Sequence, residues 1–374
     1  MSDFVPVCEP LLGGNEMKYI TEAVSTGWIS SSGSYVTRFE DAFAKYCGVR
    51  YAVAVCNGTV AIHLALSVLG IGKGDEVIIP SFTMIATAFA VCYTGATPVF
   101  VDVDKETFNI DVEKIEEKIT PRTKAIIPVH IFGNPCDMAE INHIAKKYGL
   151  FIVEDAAEAH GAEFDGKKVG SFSDIASFSF FANKNLTTGE GGMVVTDSEG
   201  YYKSCKYKKN MCFPVDVPRV YSHDDIGFNY RMSNLHAAIG LAQTEKADEY
   251  RGMRICNAAR YREYLSDCNG IVFQKDQMNG LNVHWMNAII VNSAVYGHNK
   301  DELVAHLKDN NIDTRLLFIG MHRQKSLKDY GCDCSGSYPI TDWLSNNGFY
   351  LPSASSLTEE KIKCICNIIK EFRR

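Results

Sequence analysis

The chain is 374 residues long, enough to bury a large apolar core and to divide into two structural domains. With 46% hydrophobic and 22% charged residues it has the composition of an ordinary soluble globular protein. A net charge of −7 argues against nucleic acid as a partner, and the apolar stretch from Ile78 to Val101 is broken by Pro80, Ser81, Thr83, Gly95 and Pro98, so no membrane span is expected.

In chain order, the opening Met1-Ser2-Asp3-Phe4-Val5-Pro6 lacks the basic-then-apolar pattern of an export signal, and a cytoplasmic protein is expected. Tyr51–Val55 predicts a buried strand that ends at Asn57-Gly58-Thr59, followed by a helix over Val60–Leu69 that Gly70 and Gly72 stop. Further strands are expected at Glu76–Pro80, Val99–Val103, Ala125–His130, Leu150–Asp155, Ser177–Phe181 and Gly192–Thr196, with a helix over Met138–Tyr148. This alternation implies an α/β fold around a largely parallel sheet. A helix-rich tract from Asn234 to Leu265 is long enough to link a large domain, residues 1–250, to a small one, residues 251–374. In the small domain a strand is expected from Trp285 to Val291, a helix from Asp301 to Asn310, and a tail helix from Thr358 to Phe372 opened by a capping-box pattern. The densest basic run, Lys206-Tyr207-Lys208-Lys209, reads as a solvated face.

Thirteen cysteines, an odd number scattered through apolar segments, read as reduced, mostly buried small hydrophobes. The pairs Cys332/Cys334 and Cys364/Cys366 have no second pair at zinc spacing, so no metal is expected.

Three segments carry candidate chemistry. Lys184 lies between the apolar run Ser177–Phe181 and the turn Thr187-Thr188-Gly189, where a partly buried ammonium tends to lose its proton. A neutral amine is what bonding to an aldehyde cofactor requires. Asp155, at the end of a buried strand, suits the ring nitrogen of pyridoxal phosphate (PLP), although it reads equally as a helix N-cap. Asn57-Gly58-Thr59 offers backbone N–H groups and a hydroxyl at a helix start, a phosphate cradle in principle and a plain turn otherwise. Gly70-Ile71-Gly72-Lys73-Gly74 has the wrong spacing for a dinucleotide fingerprint and reads as a loop. Asn229 and Arg231 could hold an anion, or simply belong to a loop closed by an N-cap at Ser233 or Asn234.

Together these segments resemble the sugar aminotransferases of the DegT/DnrJ/EryC1/StrS family, PLP enzymes, over nearly the whole chain. The resemblance rests on Gly27-Trp28-Ile29-Ser30, Asn57-Gly58-Thr59, Pro80-Ser81-Phe82-Thr83, Gly95–Phe100, His130–Pro135, Glu154–Ala162, the Asn183-Lys184 to Gly192 block, Asn229–Met232 and Tyr350–Ser353. Within the family, Ser179–Lys184 and Glu158 look closest to the perosamine-forming branch.

The resemblance implies an aspartate-aminotransferase-like fold, with a large PLP domain and a smaller C-terminal α/β domain. It implies that Lys184 bonds PLP and moves protons, that Asp155 pairs with the ring nitrogen, and that Glu158 meets the ring hydroxyl. Gly58, Thr59 and Ser179 would bind the phosphate, with Asn229 reaching it from the other subunit of a homodimer with shared sites. Met84 stands where many relatives place an aromatic over the ring, and Arg315 and His322 fall in a segment that looks like part of the sugar pocket. The implied reaction moves an amino group from L-glutamate to C4 of a nucleotide-linked 4-keto-6-deoxy sugar, GDP-4-keto-6-deoxymannose foremost. Alternatives are a dTDP- or UDP-linked sugar, a small phosphorylated ketone, or a non-catalytic regulator on the same fold. Lysine at 184 favours amino transfer over the dehydration that relatives with histidine there perform.

Overall fold

Seven strands between residues 51 and 196 form one mixed sheet in the computed structural model, which describes residues 4–215, 218 and 221–373. Met1–Asp3, part of the opening read for an export signal, lie outside the described residues. The sheet order is Tyr51–Val55, Gly192–Thr196, Ile175–Ser179, Phe151–Asp155, Thr123–Ile126, Glu76–Pro80 and Thr97–Val101. Every pairing from Ile175–Ser179 outward to Thr97–Val101 is parallel; Gly192–Thr196 runs antiparallel to both its neighbours.

Helices cover both faces, which explains why strands such as Glu76–Pro80 and Ile175–Ser179 are buried at every position. Alternate residues divide between two cores. Ala52 and Ala54 pack with the helices Ser34–Cys47 and Asn234–Glu245, while Val53 and Val55 pack with Gly58–Val68 and Ile85–Tyr93. No helix among the described residues is long and apolar enough to cross a membrane.

A second, antiparallel sheet of Ile271–Phe273, Asn287–Val291, Gly348–Leu351 and Arg315–Leu316 has its own core with the helices Ala247–Tyr264, Lys300–Asp309 and Glu359–Phe372. The earliest residues join this part of the molecule. Val5 bridges Ile312, and Ser353 N–H donates to the Val7 carbonyl at 2.8 Å. The unbroken helix Ala247–Tyr264 spans residue 250.

Most of the expected elements form, several with the expected bounds: Tyr51–Val55, Glu76–Pro80, Met138–Tyr148 and Gly192–Thr196. Four readings are corrected. The strand expected to reach His130 stops at Ile126: Pro128 brings no N–H to the ladder, and beyond it only an isolated bridge joins Val129 to Asp155. Thr358 caps its helix through the Lys361 N–H, but the residue in register for the reciprocal half of a capping box is that lysine, so the box does not close. No helix follows Asp155, which excludes the N-cap reading.

The basic run is also not simply a solvated face. Lys209 is buried and, with Lys206, pairs with the buried Glu40 at 2.9 and 3.1 Å. Burial would raise the Glu40 carboxyl, but the two ammonium groups and the Ala54 N–H hold it below the usual carboxylate range. The thirteen cysteines are all free thiols, seven of them buried.

Candidate active site

The parallel strands aim their C-terminal ends at a cavity of about 630 Å³, the edge at which α/β sheets place ligands. Its walls come from the Asn57–Thr59 turn, the start of the Ile85–Tyr93 helix, the end of Phe151–Asp155, the Ser179–Lys184 segment and, from the second sheet's side, Trp285, Phe318 and Tyr350.

Asp155 ends its strand with only 5% of its surface exposed. Thr87 donates its hydroxyl to one carboxylate oxygen at 2.8 Å, and the Ala157 N–H reaches the other at 3.2 Å. Burial nevertheless pushes the Asp155 carboxyl above its ordinary value, against Thr87, Ala157 and the charge of Lys184. Behind it, Glu154 is enclosed by His130 Nε2 at 3.0 Å, the N–H groups of Gly170 and Phe172 at 2.7 and 3.0 Å, and the Ser173 hydroxyl at 2.7 Å. His130 Nδ1 accepts from the Cys136 N–H at 3.0 Å, so Nε2 carries the proton that Glu154 accepts. This satisfied network fixes the strand on which Asp155 stands.

Lys184 is enclosed beside Glu158, with Nζ 3.8 Å from Oε1 and 3.6 Å from the centre of the Trp285 ring. Burial drives the amine below its ordinary value, while Glu158 and Asp155 oppose the fall. The same burial raises Glu158 to about 7, although Lys184 and the Phe132 N–H, 2.8 Å from Oε2, favour its charged form. His160, packed among Phe43, Phe178 and Phe180, is held neutral by burial and by the Lys184 charge, its pKa lowered to about 3.

The residues fit a phosphorylated aldehyde cofactor. Asn57 caps the helix Gly58–Val68 by accepting the Val60 N–H at 3.0 Å, and the N–H groups of Gly58 and Thr59 precede any intrahelical acceptor. A Cβ on Gly58 would lie 2.7 Å from the Ser179 Cβ, so glycine keeps the helix start open beside that hydroxyl. Asn183 Oδ1, on a residue lining the cavity, is buried with no partner among the described residues.

Gly58, Thr59, Met84, Asp155, Glu158, Ser179 and Lys184 therefore share one cavity. Met84 is half-exposed at the start of its helix. Asn229 is not in the lining within one chain, where its backbone bridges Asn210. Neither Arg315 nor His322 lines the cavity: Arg315 pairs with Asp313 at the surface, and His322 stacks on Tyr338 and contacts Asp342 at 3.2 Å. Sequence reasoning assigned no site role to Thr87, Trp285 or Tyr350, the last read only as a family marker, whereas Phe318 falls in the segment expected to form part of the sugar pocket and does line the cavity. Thr87 had a weak local signal, lying one helical turn beyond Thr83, but Trp285 and Tyr350 arrive from more than 100 residues away in the chain.

The sequence profile of the DegT/DnrJ/EryC1/StrS aminotransferase family matches residues 10–370. A GDP-perosamine synthase of Escherichia coli O157:H7 is 45% identical over 99% of this chain and 98% of its own. One from Vibrio cholerae is 40% identical over 98% and 99%. Among solved structures, DesV of S. venezuelae superposes with a TM-score of 0.90 at 33% identity, covering 96% of this chain and 94% of DesV.

Proposed function

Because this chain belongs to the DegT/DnrJ/EryC1/StrS aminotransferase family, we propose that it uses PLP to carry an amino group from L-glutamate to C4 of a nucleotide-linked 4-keto-6-deoxy sugar. GDP-4-keto-6-deoxymannose is the favoured acceptor and GDP-perosamine the product, in keeping with the two GDP-perosamine synthases it resembles. The product would feed polysaccharide synthesis from the cytoplasm. The observation that carries the reading is the convergence of a largely enclosed amine, Lys184, and a buried carboxyl, Asp155, on one cavity that opens at a helix start.

When bound there, PLP supplies an aldehyde that bonds amines and a ring that takes up negative charge from carbon. Asp155 holds a positive ring nitrogen: such a cation offsets the desolvation that otherwise raises this carboxyl. Gly58 and Thr59 N–H groups and the Thr59 and Ser179 hydroxyls bind the phosphate. Glu158 would meet the ring hydroxyl, and Met84, which lines the same cavity, would pack against the ring.

Lys184 Nζ, whose hold on a proton burial weakens, would take the proton from Cα of glutamate and in the second half-reaction deliver one to C4 of the sugar. Over the whole reaction glutamate and the keto sugar would exchange amino group for keto oxygen, giving 2-oxoglutarate and the amino sugar. Asn229 completes the phosphate site of the partner in a homodimer. The cofactor unit falls within residues 1–250, apart from Val5 and Val7, which pair with the smaller unit 251–374, and the helix Ala247–Tyr264 bridges the two.

A panel of GDP-, dTDP- and UDP-linked keto sugars and small phosphorylated ketones, each with glutamate and read by mass spectrometry, tests the reading. Amination of the GDP-linked sugar is expected. Exclusive amination of another acceptor would reassign the substrate, and transfer to none would remove the catalytic reading.

A further inference from the structure

Trp285 is tied down on every side. Its indole N–H donates to the Asn183 carbonyl at 2.8 Å, which links it to the residue beside Lys184. Its backbone N–H donates to the Phe132 carbonyl at 2.8 Å, and its carbonyl accepts from buried Arg254 at 2.7 Å. The ring stacks on Phe132 at 6.3 Å and is 4% exposed.

Two non-glycine residues hold left-handed backbones at this contact, Phe132 (φ 56°) and His284 (φ 47°), a conformation such residues adopt only where their surroundings impose it. The Phe132 peptide units serve both neighbours of the lysine: the N–H goes to Glu158 and the C=O to Trp285. Lys184 Nζ then stands 3.6 Å from the ring centre, well inside cation–π range, and tryptophan has the strongest face for that contact.

We propose that Trp285 is a positioning residue: its indole face seats the free ammonium of Lys184 and keeps Nζ at the cavity whenever that amine is not bonded to another group. This rests on the reading of Lys184 given above. The seat also opposes burial. Other titratable groups facing the amine are Glu158, Asp155, His160 and, from the N-terminal segment, Cys8. None of them is a π face held against it, so the ring's contribution is separable.

The test uses cofactor-free protein. The rate of reductive methylation at Lys184, followed by peptide mass spectrometry across pH, gives the protonation midpoint of the amine. Trp285→Leu should lower that midpoint by about one pH unit, while Trp285→Phe, which keeps a π face, should lower it by less. An unchanged midpoint in Trp285→Leu, or equal shifts in the two variants, would overturn the proposal.

Should Trp285→Leu fail to fold, the native residue is the probe. With Trp28→Phe and Trp343→Phe, the emission of Trp285 should titrate with pH and lose that step in Lys184→Met. Emission that ignores Lys184→Met overturns the seat. Borohydride fixation of added PLP separately reports which lysine takes the cofactor. A tag elsewhere would sink the reading of Lys184 while leaving the methylation result to decide the contact.

Discussion

Glu158→Gln should make the cofactor-free protein more stable at alkaline pH, although it alters a residue placed in the site. In the fold, burial raises the Glu158 carboxyl to about 7 from an ordinary 4.5. The native protein therefore binds more protons than the unfolded chain between those values. The favourable contribution of the protonated carboxyl is complete below the lower value and is lost as pH rises through the upper one. Between about pH 5 and about pH 8 the loss is roughly 2–3 kcal/mol, at ~1.4 kcal/mol per pH unit.

Glutamine keeps an acceptor for the Phe132 N–H and carries no charge to bury. The depressed amine of Lys184 acts with the opposite sign, adding stability as pH rises, and more so in the variant, which lacks the Glu158 charge that opposes its fall. The assay is urea denaturation of both proteins at the two pH values, at one protein concentration so that any oligomer is matched. Wild type should lose stability relative to the variant on going to the higher pH. Parallel behaviour of the two proteins would refute the claim that Glu158 pays a desolvation penalty when ionised.

Gly58→Ala would press a methyl group to 2.7 Å from the Ser179 Cβ, costing ~1–3 kcal/mol and weakening PLP binding about tenfold or more by equilibrium dialysis; unchanged affinity would contradict the cradle. Thr87→Val removes a 2.8 Å donor from Asp155 and should slow turnover about tenfold, the equivalent of ~1.5 kcal/mol, in a single-turnover assay. If turnover holds at the wild-type rate, Asp155 does not depend on that bond. Glu40→Ala strands the buried Lys209 and should cost ~3–5 kcal/mol in chemical denaturation. A loss below about 1 kcal/mol would show that water already reaches the pair. A mixed dimer with Lys184→Ala in one chain and Asn229→Ala in the other should keep one working site, whereas two dead sites would place Asn229 in its own chain's site.

What could be read in advance follows the range of the forces involved. Strands such as Glu76–Pro80 and the helix Met138–Tyr148 are local patterns, apolar runs or helical spacing closed by turn residues, and they form at the expected bounds. The convergence of Asp155 and Lys184 on one cavity follows from motifs at the ends of neighbouring strands. Trp285 was not legible as a partner of Lys184, because a hundred residues and a second sheet separate them in sequence.

Phe132 left no trace in the pattern either. Its left-handed backbone is imposed by bonds to Glu158 and Trp285 that exist only in the finished fold. The Lys206–Lys209 run was misread because charge spacing cannot reveal that an acidic residue on a distant helix, Glu40, will lie between two of its lysines.

The pairing of Val5 and Val7 with Ile312 and Ser353 has a bearing on how the protein is made. A ribosome releases residues 5–8 some 300 residues before their partners Ile312 and Ser353. These contacts cannot all form until the seven strands of the first sheet, residues 51–196, and the chain as far as Ser353 have been made. Cys8, which touches both the Asn183 carbonyl and Arg254, rides on that segment, so the surroundings of the lysine are completed only when residues 5–8 dock against the second sheet.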